Sequence, residues 1–256
     1  MYFPVLLSRA QAQYPAARVL ESMHVEAESP GGHLWRSGSN ETVIHRWVLR
    51  FEDLTDTEAG ALRALYEACG GAWRTFRFAD PMSNLLRWSE DLGSAAWGKS
   101  AGMAVAMISG GNGAPAEFEI KNTSGAPGQL WQELDLAPGA SVCFSCELRG
   151  GAATLRAGGA SIRATAGAEW DQAYVSGESS GGMQRLEVEV DAGALVRIRR
   201  LQAETQRAPS QYQGTYERGG VYPRTRFIEG GLRITSVAPG RNAAEVVLES
   251  AGEDEW

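Results

Sequence analysis

Two cysteines stand three positions apart in the segment SVCFSCEL, at the spacing found in thiol redox motifs and in zinc sites. The segment alternates as a β-strand does, and residues i and i+3 of a strand point to opposite faces. Cys143 and Cys146 are therefore not expected to bind one metal ion or to form a disulfide. With Cys69 the chain has three cysteines, and we interpret them as small buried residues rather than as a disulfide framework.

The other reactive residues form no catalytic set. His24, His33 and His45 all lie near the start of the chain, away from any Gly-x-Ser-x-Gly segment that could supply a nucleophile. Paired carboxylates such as Glu117 and Glu119 could act on a glycosidic bond, but the pattern is also that of solvated strand charges. We therefore expect neither enzyme activity nor a cofactor. A structural Ca²⁺ ion is compatible with the many loop carboxylates, although no spaced ligand loop stands out.

Aromatic side chains in the central part of the chain indicate a different chemistry. Exposed rings can stack on the apolar faces of sugars while carboxylate, amide and guanidinium groups hold the hydroxyls. Strand alternation places Trp131 on the face of Glu133 and opposite Gln132, and leaves the burial of Trp170 open. Core packing is the alternative for each ring, since large aromatics are mostly buried. The candidate glycan-binding residues are Trp97, Trp131, Gln132, Glu133, Arg149, Trp170 and Tyr174.

Composition restricts the class of protein. The 256 residues carry a net charge of −7, which disfavours nucleic-acid binding, and we assign the basic cluster RIRR (197–200) to a solvated strand face. No apolar run approaches the roughly 20 residues of a membrane-spanning helix. The first residues lack the basic start of a signal peptide, so we expect synthesis in the cytoplasm.

The two ends of the chain together predict a small α+β unit. TVIHRWVLRFED (42–53) alternates as a half-buried strand with His45 on its apolar face. A helix with an apolar stripe follows, with a capping box of Thr55 and Glu58 at its start and Gly70-Gly71 at its end. Neither end has enough strands to close a core alone. The other expected segments are strands at 17–29, 73–81 and 225–250 and a turn-rich connection at 31–40.

Residues 82 to about 217 have a different pattern. Nine short β-like runs, from AVAMIS to ALVRIRRLQ, alternate with turns rich in glycine, serine and proline about every ten residues. This spacing predicts an antiparallel β-sandwich, and we expect a jelly roll.

The flanking segments carry a family resemblance. FPVLLSRAQAQYP, HRWVLRFEDLTDTEAGALRALYEACGGAWRTFRFADP and VYPRTRFIEGGLRI, in that order, resemble the distal-tail-like minor tail proteins of long-tailed phages and gene transfer agents. The family pattern runs directly from the F-x-F-x-D-P strand into Y-P-x-x-R-F, whereas here it stops at Pro81 and resumes near Gly219. The resemblance covers about half of the chain. It implies a β-barrel-like domain, here discontinuous (1–81 and 218–256), that assembles into a ring.

The insert (82–217) resembles the carbohydrate-binding-like sandwich modules of phage tail and fibre proteins. Its opening NLLRWSEDLGSAAWGKS matches, and its closing LQAETQRAPSQYQGT matches in part, because the usual glycine after the acidic residue is missing. That resemblance supports a fold more than a ligand.

Together the resemblances predict a mainly β structural virion protein that forms a ring, a hexamer by family resemblance, at the distal end of a phage-type tail. The implied partners are further copies of the chain, the tail tube protein, tail-tip and hub proteins, and, through the sandwich, host-surface carbohydrate. The sandwich could instead be decorative. The alternative function is that of a protein whose main task is adhesion to cell-surface glycan.

Overall fold

The computed structural model describes residues 1–7, 12–111 and 114–250, with side chains except those of residues 22–26, 36–42, 111 and 114. Within these ranges the chain forms fifteen strands and one helix, and no helix there is long and apolar enough to cross a membrane. The predicted mainly β fold with one helix and an antiparallel sandwich is confirmed.

The strands and the helix have the following bounds: β1 Gln13–Glu28, β2 Leu34–Leu54, α1 Asp56–Ala68, β3 Phe76–Ala79, β4 Gly98–Lys99, β5 Met103–Gly111, β6 Ala114–Asn122, β7 Gly128–Leu136, β8 Ser141–Arg149, β9 Gly151–Ala157, β10 Ala160–Ala166, β11 Asp171–Glu178, β12 Gly182–Val190, β13 Leu195–Glu204, β14 Val221–Ala238 and β15 Arg241–Ser250.

The chain divides into two compact units. We call the first the carrier unit, and it comprises Met1–Pro4, Ala12–Phe78 and Tyr222–Trp256. The second, the sandwich unit, comprises Val5–Gln11 and Ala79–Val221.

The carrier unit is built on a five-stranded sheet in the order β1-β2-β15-β14-β3. Strand β2 alternates as its sequence predicts, so that Trp47, Leu49 and Phe51 are all buried. Their face forms an aromatic core: the ring of Phe78 lies 5.0 Å from that of Trp47 and 5.5 Å from that of Phe3, in edge-to-face contacts.

Helix α1 begins and ends where the sequence indicates. Thr55 Oγ1 accepts a hydrogen bond from the backbone N–H of Glu58, and the Glu58 carboxylate accepts one from the Thr55 backbone N–H, which completes the capping box. At the other end Gly70 and Gly71 adopt φ values of 64° and 72°, where a side chain would be strained.

The sandwich unit consists of two five-stranded antiparallel sheets, in the orders β10-β9-β12-β7-β4 and β11-β8-β13-β6-β5. Residues with inward-facing side chains on both sheets form one apolar core that includes Phe118, Phe144 and Leu186. The nine predicted runs correspond to β5 through β13. Strand β4, only two residues long, was not predicted.

One predicted connection is wrong. Residues 31–40 were expected to form a turn-rich link, but β2 begins at Leu34 and pairs with β1 as far as the Glu28–Leu34 register position. The turn is confined to residues 29–33, where the backbone N–H of Gly32 donates to the Ser29 carbonyl. Pairing with β1 supplies backbone partners that override the low strand propensity of glycine and serine in this segment.

The cysteines lie as strand geometry predicts. Cys146 belongs to the apolar core between the sheets, whereas Cys143 is paired with Ser176 on the neighbouring strand and lies near Glu204 on the opposite face. Cys69 is fully buried in the carrier unit, and all three thiols are free.

Candidate functional site

The seven candidate glycan-binding residues do not form one cluster. They are distributed over three parts of the sandwich unit: its core, the outer face of the sheet containing β7, and the outer face of the sheet containing β8.

Trp97 and Gln132 lie inside the sandwich unit and present no surface to a ligand. Trp97 is 3% exposed, and its indole N–H donates to the Trp88 carbonyl at 2.9 Å. The Gln132 amide is 2% exposed and makes two hydrogen bonds to the backbone of Arg87, at 2.8 and 2.9 Å. Both are therefore structural residues rather than binding residues.

Trp131 and Glu133 lie on the outer face of β7. The Trp131 ring packs on Gly98 of β4, where a Cβ atom would overlap the indole, and the guanidinium of Arg185 lies 3.7 Å from the ring centroid. Glu133 is exposed, directly across from Arg185 in the register of β12 and β7. Because Gly98 and Arg185 both cover the ring, Trp131 offers little open aromatic surface.

Arg149, Trp170 and Tyr174 belong to the sheet containing β8, with Trp170 directly before β11. Arg149 and Arg199 both stack on the Trp170 ring, with guanidinium carbons 4.5 and 4.2 Å from its centroid. These cation–π contacts hold the indole in place and occupy it. Tyr174 on β11 is 45% exposed and is the open aromatic ring of the candidate set.

A groove lies on the outer face of β11, β8 and β13, and the row of residues that contains Tyr174 runs into it. The register places Tyr174, Ser145 and Gln202 in one row across the three strands. The next row contains Gln172, Glu147 and Arg199. The cavity between these rows and the segment after β13, which we call the sheet-face groove, has a volume of about 190 Å³. It is lined by Ser145, Cys146, Glu147, Gln172, Arg200, Gln202, Ser210, Gln211 and Tyr212.

Three charged groups, Glu147, Arg199 and Arg200, form a cluster here, of which Glu147 and Arg200 line the groove. Arg199 Nε and Arg200 Nη1 donate to the two oxygens of Glu147, at 2.6 and 2.7 Å. Burial alone would raise the pKa of Glu147, but the hydrogen bonds and charges of these arginines outweigh it, and the pKa lies below its usual value. Glu147 is therefore an ionised acceptor beside two guanidinium donors.

Arg200 is turned toward the groove by a β-bulge. The register of β13 with β8 shifts between Arg199 and Gln202, and Arg200 adopts a φ of 56°. Bulges of this kind redirect a side chain out of strand alternation and are frequent beside binding sites. The bulge explains why Arg199 and Arg200, although adjacent in sequence, both reach Glu147.

The segment after β13 forms the wall of the groove and is fixed by polar contacts. The Glu204 carboxylate accepts from the backbone N–H and the hydroxyl of Ser210, and Gln202 Oε1 accepts from the backbone N–H of Gln213 at 2.7 Å. Tyr212 donates its hydroxyl to Glu90 at 2.6 Å, and burial together with this bond raises the pKa of Tyr212. The tyrosine thus remains neutral, and the wall is preorganised.

Several groove residues were missed at the sequence level. Alternation in β8 places Ser145 and Glu147 on the face of Arg149, so these two could have been found from the strand pattern. No local signal identifies Tyr212 or Ser210, because contacts with residues far away in sequence bring the segment after β13 onto the sheet.

A second cleft, of about 500 Å³, lies between the edge strands β10 and β11. Tyr174 and Gln172 line it together with Ile162, which is 43% exposed, and Arg163. Arg163 makes two hydrogen bonds to Asp191, at 3.1 and 2.5 Å. Tyr174 lines this second cleft, whereas Gln172 lines both cavities.

No group of three or more histidine, cysteine, aspartate or glutamate residues arranged to hold a metal ion occurs in the part of the chain that the structure describes. The side chain of His24 lies outside that part. His45 Nδ1 lies 3.0 Å from the Tyr222 hydroxyl, and its ring stacks on Trp47.

Comparisons with known proteins give structural similarities only. No protein-family model matches the chain, and no curated protein sequence matches it. Among solved structures, the CBM22-1 xylan-binding domain from Paenibacillus barcinonensis shares 13% identity over 51% of this chain and 99% of that domain, with a TM-score of 0.39. TmCBM61 in complex with β-1,4-galactotriose shares 15% identity over 48% of this chain and 99% of that one, with a TM-score of 0.36.

A phage protein is also similar in structure. The enzymatically active domain of bacteriophage CBA120 tailspike protein 4 shares 14% identity over 50% of this chain, with a TM-score of 0.38. The match spans only 22% of the tailspike domain.

Proposed function

We propose that the sandwich unit is a glycan-binding module and that the sheet-face groove, together with Tyr174 in the row beside it, is its binding site. The observation that carries this proposal is the combination of one open aromatic ring with a row of polar groups beside a cavity of about 190 Å³. The sequence resemblance to carbohydrate-binding-like modules supports it independently.

The groove contains the groups that recognition of a sugar requires. The Tyr174 ring can stack on the apolar face of a pyranose. Glu147 is an ionised acceptor whose oxygens each retain a further lone pair, and Arg200 and the exposed amide of Gln172 supply donors. Each hydroxyl group of a sugar can both donate and accept a hydrogen bond. An acceptor such as Glu147 beside a donor such as Arg200 can therefore bind two adjacent sugar hydroxyls.

Titration of the purified full chain with bacterial surface polysaccharides and defined oligosaccharides tests the site. Tyr174→Ala should weaken binding by on the order of tenfold or more, as expected for loss of an aromatic anchor. Met183→Ala is the matched control, because Met183 is 61% exposed on the sheet that does not form the groove. Glycan binding that Tyr174→Ala leaves unchanged would contradict the assignment of the groove.

We further propose that the carrier unit self-associates, as a ring subunit at the distal end of a phage-type tail, between tail tube and tail tip. The observation favouring self-association is a paired stretch of β1 and β2 that bears exposed Leu20, Leu34 and Trp35. The ring, its place in the virion and its tail partners rest on the resemblance of the flanking segments. The alternative remains a protein devoted mainly to glycan adhesion.

Negative-stain images and native mass spectra of the purified chain at increasing concentration distinguish these functions. A closed ring supports the tail component, and a monomer that binds glycan supports the adhesion protein. On either proposal we expect no catalysis by this chain.

A further inference from the structure

Part of the β1–β2 hairpin extends beyond the sheet of the carrier unit. The register of β2 with β15 ends at Arg46, and the pairs that β2 forms at residues 34–38 and 43–45 are with β1. The backbone N–H of His45 also donates to Ser250 Oγ of β15. We call residues 20–28 and 34–45 the arm. At about 3.4 Å per residue its nine β1 residues reach roughly 30 Å.

The arm exposes apolar side chains. Leu20 is 59% exposed, Val43 37%, Leu34 56% and Trp35 69%. Leu20 pairs with His45 in the register, which places it on the sheet face that holds the buried Trp47 two residues further along β2. A two-stranded ribbon is marginally stable in water by itself, so burying these exposed apolar side chains against another surface would stabilise the arm.

A second exposed aromatic lies at the opposite edge of the same sheet. Strand β1 forms one edge and β3 the other. The loop of residues 70–75 leads directly into β3, and in it Trp73 is 85% exposed. We call this loop the edge loop.

The edge loop is ordered by its own backbone. The N–H groups of Gly70 and Gly71 donate to the carbonyls of Glu67 and Tyr66, and the N–H of Arg74 donates to the Cys69 carbonyl, all at 2.9 Å. The Trp73 ring is therefore presented on a fixed turn, which lowers the entropic cost of docking it.

The charges of the two surfaces are complementary. Arg74, next to Trp73, is exposed and forms no salt bridge within the described part of the chain. Glu28 at the end of the arm, opposite Leu34, is likewise exposed and without a salt bridge there. One edge thus offers an aromatic ring with a cation, and the other offers aliphatic and aromatic groups with an anion.

We propose that the arm of one copy docks on the edge loop of the next, with Trp73 packed against the apolar residues of the arm and Arg74 paired with Glu28. The partner is a second copy of this chain, and this inference rests on the proposed self-association. Because two different surfaces on opposite edges meet, the contact is head-to-tail, which generates a ring when the rotation closes and a filament when it does not.

The test is a charge exchange on the full chain, measured by sedimentation velocity over a concentration series. Arg74→Glu and Glu28→Arg should each weaken association by on the order of tenfold or more, because like charges then face each other. The double variant should recover association to near the original level. Trp73→Ala should weaken association by a similar factor.

Arg63→Glu is the matched control, since Arg63 is exposed on α1 of the same unit. It should associate like the original chain. Circular dichroism and thermal melts of each variant verify that the fold is retained, and recovery in the double variant cannot arise from misfolding.

The outcomes separate the two proposals. If the original chain associates but the single variants associate equally well, or the double variant shows no recovery, the arm–edge-loop contact is overturned while self-association stands. If the original chain remains monomeric at every concentration, both proposals fail.

Discussion

Glu147 contributes both to the stability of the sandwich and to the proposed binding site. Its carboxylate accepts hydrogen bonds from Arg199 and Arg200 in the sheet-face groove, and its pKa lies below the ordinary value. Because the folded-state pKa is lower than the unfolded-state pKa, the charged form stabilises the fold. That contribution is fully present above the unfolded-state pKa and is lost as the pH falls through the folded-state value.

Glu147→Gln should therefore lower the free energy of unfolding at pH 7, by roughly 1–2 kcal/mol for charged hydrogen bonds of this exposure. The difference from the original chain should shrink as the pH falls below about 4.5, the ordinary pKa of glutamate. Urea unfolding between pH 3 and pH 7 measures it. Glu133→Gln, at an exposed position on the other sheet, should show no such difference. A Glu147→Gln effect independent of pH would contradict the argument.

The cysteines allow a prediction about reactivity. Burial raises the pKa of Cys143 to about 11, with the nearby Glu204 adding to the effect and a hydrogen bond to Ser176 opposing it. Burial also raises the pKa values of Cys146 and Cys69. The thiolate is the reactive form, so no thiol should react with Ellman's reagent in the native protein at pH 8, and three should react in denaturant. Stoichiometric native labelling at any cysteine would contradict this.

Residue-level prediction from sequence succeeded where only the strand pattern mattered. Alternation alone placed Trp131 and Glu133 on one face and Gln132 on the other, and it separated Cys143 from Cys146. Alternation could not show that the Gln132 side chain forms hydrogen bonds with the backbone of Arg87, because the two residues lie 45 positions apart in the chain. Exposure of an aromatic ring likewise depends on neighbours from distant strands, as Arg185 on Trp131 demonstrates.

At the scale of elements, the two-residue strand β4 exists because a glycine permits a close approach. Gly98 pairs with Trp131 across β4 and β7, and a Cβ atom there would overlap the indole ring. Gly98→Ala should therefore displace the ring and destabilise the sandwich by about 1–3 kcal/mol, the usual cost of overpacking. Thermal unfolding and tryptophan fluorescence measure the two effects.

Two variants control this experiment. Gly125→Ala should have little effect, since a Cβ atom at Gly125 meets open space. In a Trp131→Ala background the cost of Gly98→Ala should largely disappear, because the clashing ring is gone. An equal cost in both backgrounds would show that the glycine is required for its backbone rather than for the indole.

Elements with a strong periodic pattern were predictable, and elements that depend on pairing were not. The nine runs of the sandwich and the capped helix α1 follow from alternation and capping chemistry. Strand β4 has too few residues to show a period. The start of β2 at Leu34 contains glycine and serine, and only its partner strand β1 makes it extended.

At the scale of the whole molecule, the sandwich unit begins and ends at one place. The backbone N–H of Asp80 donates to the Gly220 carbonyl at 2.7 Å, and the N–H of Gly220 donates to the Asn84 carbonyl at 2.8 Å. Since its two ends are joined in this way, a module of this kind can occupy a loop of another domain without separating that loop's ends. The sequence patterns predict such an insert at residues 82–217.

The fragment 79–221 should accordingly fold by itself as a monomer with a single cooperative unfolding transition. Both sheets contribute residues to the core of the fragment. The side chain of Asn84 connects the opening segment to the rest through three hydrogen bonds, each 3.0 Å long. Its Nδ2 donates to the carbonyls of Leu201 and Gln213, and its Oδ1 accepts from the backbone N–H of Ala203. Size-exclusion chromatography and thermal melts provide the measurement. Asn84→Ala should lower the stability of the fragment by roughly 2–4 kcal/mol, because several buried backbone groups lose their partners. A fragment that aggregates or melts without cooperativity would show that the sandwich depends on residues outside 79–221.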